Sequence, residues 1–299
     1  MDDYQVEFHV NTIFPSELKP QITKDIKVIQ EYASIDEPDT TVVSVTTESD
    51  SFFNAIKFCR KELNQFLGFY SATTLNHPKI IPSDKIPISA TRLTGSREIQ
   101  EFRNFDDTTE YSDWNFNPVV FTSHILKYFP LLSNSGNEYL YVAIDYLRRA
   151  RFEIADDIVI LDCFIALEAL FFKSSEKTEL TYRLSNRVAT LLGKNNEHRV
   201  KLREEISNLY DMRSRIVHGD HISLGENPFG PLLIYVREAI MRFLMLSVKY
   251  TTHNEIIKKL DDAAIDNSIR DDLRNESSEL FEVIQKEILR LVEEERKRS

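Results

Sequence analysis

Fifteen residues in the middle of the chain, Ile158 to Phe172, constrain the fold more than any other stretch, because only Asp162 and Glu168 interrupt an otherwise apolar run. A helix that is apolar on all sides has no face for water and must be enclosed by other helices. Its two acids, and a length short of the roughly 20 apolar residues that cross a bilayer, argue against a membrane span. The segment therefore predicts the central helix of a bundle.

The flanking sequence supplies partners for it. Glu138 to Phe152 places Leu140, Ala143, Ile144 and Leu147 on one side, with Arg148, Arg149 and Arg151 at the C-terminal end, where cations suit the helix dipole. Leu180 to Leu192 stops at Gly193 and Val200 to Val217 stops at Gly219, both readable as C′ glycines. Val119 to Leu132, Pro231 to Lys249 and Asp271 to Lys297 complete the expected helices. In the last of these Leu280, Ile284, Ile288 and Leu291 line one face ahead of a charged tail. Short connections favour antiparallel neighbours.

The first part of the chain reads differently. Tyr4, Val6, Phe8 and Val10 alternate with polar residues, the period of a strand with one buried face, and Thr40 to Thr46 is a second β-type run. Asp50 or Ser51 then caps a helix whose Phe52, Ile56, Cys59, Leu63 and Phe66 recur at helical spacing up to Gly68. Beyond it Pro78, Pro82 and Pro87 punctuate an extended stretch, with a strand at Ile86 to Leu93 and a turn at Thr94-Gly95-Ser96. The expectation is an α+β chain: a mixed α/β domain over residues 1–117, then an all-α bundle over 118–299.

Of 299 residues, 42% are hydrophobic and only 7 are Gly, which fits an ordered helical protein and not a turn-rich barrel. Cys59 and Cys163 are too few for a disulfide framework or a Cys-rich zinc site. The acidic start, Met1-Asp2-Asp3-Tyr4, lacks the basic and apolar regions of a signal peptide, so the expected compartment is the cytoplasm. Net charge is −11, at face value unsuited to a polyanion. Residues 181–250, however, hold eleven Lys/Arg against seven Asp/Glu, a net of +4, which permits an anion-binding face on an acidic protein.

Glycine-rich phosphate loops, HExxH, paired cysteines and GxSxG are all missing from the sequence. A His218/His221 metal pair is disfavoured because Gly219 breaks the helical spacing, so no metal or other cofactor is expected. The informative segment is Leu209-Tyr210-Asp211-Met212-Arg213-Ser214-Arg215-Ile216-Val217-His218-Gly219-Asp220. Arg213 supplies a fixed cation for a phosphate oxygen, and an imidazole such as His218 exchanges a proton near neutral pH. Those are the two groups needed to drive a ribose 2′-hydroxyl onto its own phosphodiester. On a straight helix, five positions separate them by roughly 140° and about 7.5 Å. Either the helix end distorts near Gly219, or the groove is built by two chains. A plain structural account also fits, since basic residues before a capping glycine suit a helix C-terminus.

Three blocks, Leu161 to Phe172, Leu180 to Gly193 and Leu209 to Gly219, lie in this order on matching helices, and together they resemble the HEPN superfamily, nearest to its Apea-like branch. The resemblance spans about residues 137–250. It implies a bundle that homodimerises, with an Arg-(four to six residues)-His motif facing a shared cleft. Many such proteins are metal-independent endoribonucleases of antiphage defence or toxin systems; others have lost catalysis and bind RNA or nucleotide to regulate a partner. Carried onto this chain, Arg213 and His218 are the catalytic pair, with Ser214 directly after the Arg. Arg215 and His221 form a second match, disfavoured because Gly219-Asp220 lies inside it. Glu168 is expected either to make an internal ion pair with Arg183 or Arg187 or to orient Arg213 or His218. Arg183 and Arg187, at i,i+4, extend an RNA-binding groove or are ion-paired, and Tyr210 stacks on a base or packs in the core. RNA is the expected partner, with a possible defence-system protein and no membrane.

Overall fold

The computed structural model describes residues 1–10, 25–32, 40–73, 88–95, 97–102, 128–133, 136–153, 155–173, 175–176, 178–219 and 230–278. The chain divides into two compact units, Met1–Lys127 and Tyr128–Ser299. The division expected at 117/118 falls among residues outside the described set.

The first unit pairs β1 (Asp2–Val10), β2 (Ile26–Tyr32), β3 (Thr40–Ser49), β4 (Ile88–Arg92) and β5 (Glu98–Phe102) into an antiparallel sheet in the order β2-β3-β1-β4-β5. Register sets Val6 opposite Val45 and Ala90, and Phe8 opposite Val43, so these side chains form one apolar face. Helix α1 (Phe52–Thr73) packs against β1, β3 and β4. Ser51 caps it, its Oγ accepting from the Asn54 N–H at 3.3 Å. Ala55, Ile56, Cys59, Leu63 and Phe66 are fully buried. Burial pushes the Cys59 thiol up to about 12, which makes it a core residue and no nucleophile. The helix runs five residues past the expected end at Gly68, and β2 and β5 are strands that the sequence pattern does not suggest. Gly95 sits at φ +70° in the predicted turn.

The second unit contains α2 (Glu138–Phe152), α3 (Asp156–Phe171), α4 (Leu180–Leu192), α5 (Asn196–Val217), α6 (Gly230–Lys249), α7 (His253–Ile265) and α8 (Asn267–Glu276). As the apolar run predicts, α3 lies centrally and packs against α2, α4, α5 and α6. Ile160, Cys163, Phe164, Ala166, Leu167, Leu170 and Phe171 are all fully buried, the larger ones contributing roughly 1.5–3 kcal/mol each. Asp162, the first interruption, is buried and pairs with Arg149 at 3.3 Å. Burial raises its carboxyl, and Arg149 opposes that.

Three expectations need correction. Phe129–Ser133 is a short 3-10 turn and not the end of an α-helix through Leu132; residues 119–127 lie outside the described set. Helix α7 is an addition to the expected set, although Thr252 and Glu255 form a reciprocal capping box ahead of buried Ile256, Ile257, Leu260 and Ala263. The helix expected from Asp271 to Lys297 instead starts at Asn267 and stops at Glu276. There buried Ser277 donates its Oγ hydrogen to the Arg274 carbonyl and accepts from Arg242. The apolar stripe Leu280, Ile284, Ile288 and Leu291 lies outside the described residues. Among those residues no helix is long and apolar enough to cross a membrane.

Gly193 ends α4, but not through a left-handed turn: its φ is −68°. Glycine is required there by close approach, since a Cβ would sit 2.2 Å from Arg199 Cγ and 2.5 Å from the Ala189 carbonyl oxygen. Gly193→Ala is therefore expected to cost about 1–3 kcal/mol, measurable as a lower urea midpoint.

Candidate active site on the third and fifth helices

Helix α5 carries the candidate residues. Asn195 caps its start, accepting from the His198 N–H at 2.8 Å. Leu202, Ile206, Leu209 and Tyr210 form the buried face, which fixes how the helix is rotated. The helix stays regular through Val217; His218 is its C-cap at φ −85° and ψ 3°, and Gly219 follows at φ +85°. Glycine suits this left-handed position, as expected from the sequence. No distortion falls between Arg213 and His218, so one helix alone keeps them on different faces.

The structure brings together Glu168, Tyr210 and Arg213. Tyr210 is 7% exposed, sets its ring edge-to-face with Phe164 at 5.2 Å, and donates its hydroxyl hydrogen to Glu168 Oε1 at 2.9 Å. Burial, and then the Glu168 charge, push its phenol up to about 12. The same carboxylate oxygen lies 3.5 Å from Arg213 Nη2, and the guanidinium carbon stands 5.6 Å from the Tyr210 ring centre. Arg213 keeps a quarter of its side chain exposed, and its Nε has no hydrogen-bond partner among the described residues. Among the described residues Glu168 thus pairs with Arg213, and not with Arg183 or Arg187. Tyr210 is enclosed with its hydroxyl in use, so it is unable to stack on a base; the core alternative holds.

His218 is exposed, and its ring has no side-chain hydrogen bond among the described residues. The Ser214 and Arg215 carbonyls both accept from the His218 N–H at 3.1 Å, and the Arg215 side chain is exposed. His221 lies outside the described residues.

Arg187 is corrected from groove cation to internal clamp. Its side chain is 2% exposed, and all five N–H groups are used. Nη1 and Nη2 donate to Glu176 at 2.7 Å each, Nε and Nη2 to Asp261 at 2.7 and 2.9 Å, and Nη1 to the Phe171 carbonyl at 2.6 Å. No donor is left for a phosphate. Burial opposes the charge, but the bonds to Glu176 and Asp261 outweigh it and hold the guanidinium above its ordinary value. Arg183, 37% exposed, pairs with Glu176 at 3.2 Å and Glu179 at 3.6 Å. Sequence spacing carries no signal for the clamp, whose Asp261 lies 74 residues away.

The Arg187 hydrogen bonds hold the Glu176 carboxyl at about 2, against an ordinary 4.5. A carboxyl lowered in the folded state stabilises it above the unfolded value, and that contribution disappears as pH falls from about 4.5 towards 2. Urea unfolding across that interval should show stability declining, and Glu176→Gln should flatten that part of the slope.

Among the described residues, no group of three or more His, Cys, Asp or Glu could hold a metal ion. No family model, curated protein or solved structure matches the chain.

Proposed function

We propose that the helical unit is a HEPN-type endoribonuclease that cleaves RNA without a metal ion, acting as a defence or toxin effector in the cytoplasm. One observation carries the reading: Arg213 is steered by Glu168 and Tyr210 while remaining partly open, on the helix whose end presents an exposed His218. In the reaction the ribose 2′-oxygen attacks phosphorus, the bond to the 5′-oxygen breaks, and a 2′,3′-cyclic phosphate and a 5′-hydroxyl result. A histidine takes the 2′-hydroxyl proton and another returns one to the leaving oxygen, while Arg213 stabilises the charge gathering on the phosphate. Because α5 is straight, a second copy of the chain supplies the complementary groups, which makes the working form a homodimer.

The test is to incubate the purified chain with end-labelled RNA in EDTA and analyse the termini. Cyclic phosphate ends on RNA, with DNA untouched, are the expected result; cleavage that needs an added metal, or no cleavage, overturns the reading. The Glu168–Arg213 ion pair favours one alternative, a module that binds RNA or nucleotide without cutting and regulates a partner protein. A dimer that retains RNA intact selects it.

A further inference from the structure

At the other end of α5, three arginines meet. Arg199 lies in the first turn of α5, and Arg270 and Arg274 share a face of α8 at i,i+4 spacing. Arg274 Nη1 donates to the Lys194 carbonyl at 2.8 Å, tying α8 to the α4–α5 turn. The stem of Arg199 runs against Gly193, where only a missing Cβ makes room for it.

Their charges are poorly compensated. The Arg199 side chain has no hydrogen bond or ion pair among the described residues. Among the described residues Arg270 pairs with Asp271 at 3.7 Å, itself 65% exposed. Glu197, two residues before Arg199, pairs with Lys201 at 2.8 Å, and Asp266, four before Arg270, accepts the Ser268 and Ile269 N–H groups. Arg199 Nε and Arg270 Nη1 are shut off from water with no acceptor among the described residues. Burial, then repulsion from Arg270 and Arg274, lowers the Arg199 guanidinium from its ordinary value. Like charges in proximity destabilise a fold, and an oxyanion bound at the accessible guanidinium nitrogens relieves that repulsion.

We infer that this corner of α4, α5 and α8 binds a phosphate group through Arg199, Arg270 and Arg274. Guanidinium forks match the tetrahedral oxygens of phosphate, two donors to a pair of oxygens. The site stands apart from the Arg213 site, fourteen residues along α5 or roughly 21 Å of helix rise. It does not rest on the ribonuclease reading. The phosphate belongs either to an RNA strand or to a small phosphate such as a nucleotide.

Calorimetric titration of the full chain with inorganic phosphate, at ionic strength held constant with chloride, tests it. Saturable binding is expected, weakened at least tenfold by Arg199→Gln and by Arg274→Gln and largely kept by Arg199→Lys. In chloride alone, Arg199→Gln should melt at or above the wild-type temperature, since it removes an uncompensated charge; a merely structural arginine would lower it. A single-stranded RNA oligomer titrated into His218→Ala protein, with and without Arg199→Gln, gives the source. A loss of affinity confined to RNA assigns a strand, and one confined to inorganic phosphate assigns a small ligand. Affinities for both unchanged by Arg199→Gln and Arg274→Gln, or no saturable binding of either, overturn the inference.

Discussion

Arg187→Ala is expected to destabilise the helical unit by about 3–5 kcal/mol, the range for breaking one side of a buried ion pair. For a unit of this size that corresponds to a melting point lower by roughly 6–20 °C. The substitution removes five hydrogen bonds at once, leaving Glu176 with the Arg183 side chain and the Lys173 N–H as donors, and Asp261 and the Phe171 carbonyl without the Arg187 donors. Arg187→Lys should recover only part of the loss, because an ammonium is a point charge that does not span two carboxylates as a planar fork does. Denaturant melts of both variants check this. A loss under about 1 kcal/mol for the alanine variant would mean that the clamp merely balances its own desolvation.

The second large effect concerns catalysis. His218→Ala should slow RNA cleavage by about 10²–10⁴-fold, the usual worth of positioned proton transfer. Arg213→Ala should slow it by about 10²–10³-fold, as when one group stabilising transition-state charge is removed. Both should leave the melting temperature nearly unchanged, because His218 is exposed and Arg213 is partly open. Glu168→Gln keeps an acceptor for the Tyr210 hydroxyl but loses the charge that steers Arg213, so an intermediate loss of rate is expected. Mixing inactive Arg213→Ala and His218→Ala proteins should restore cleavage if a site draws its arginine and histidine from different chains. Cleavage by either single variant at the wild-type rate would remove these residues from the chemistry.

Local signals are legible where a helix declares its own face and ends. Helices α2 and α4 begin and stop where the sequence places them, and the apolar run around Phe164 does become the centre of the second unit. Helix α7 carries comparable signals in Thr252 and Glu255 and in the spacing of Ile256, Leu260 and Ala263, but its amphipathic pattern is short and follows α6 almost without a break. Strands β2 and β5 are different: each lies at a sheet edge and depends on a partner strand more than on its own pattern. For the candidate site, spacing singles out Arg213 and His218 and allows Glu168 two roles. It is unable to name the partners of Glu168, because they depend on α3 and α5 crossing where Glu168 meets Tyr210 and Arg213. The same holds for Arg187, whose i,i+4 relation to Arg183 suggests a shared surface while its acids come from residues 176 and 261.

That separation matters for biosynthesis. A ribosome adding about 5–20 residues per second takes roughly 4–15 s to travel from codon 187 to codon 261, and throughout that interval the arginine lacks one of its two acids. The nascent chain is therefore unable to close the junction of α3, α4 and α7 until α7 emerges, which makes the maturing of this unit a late event in its synthesis.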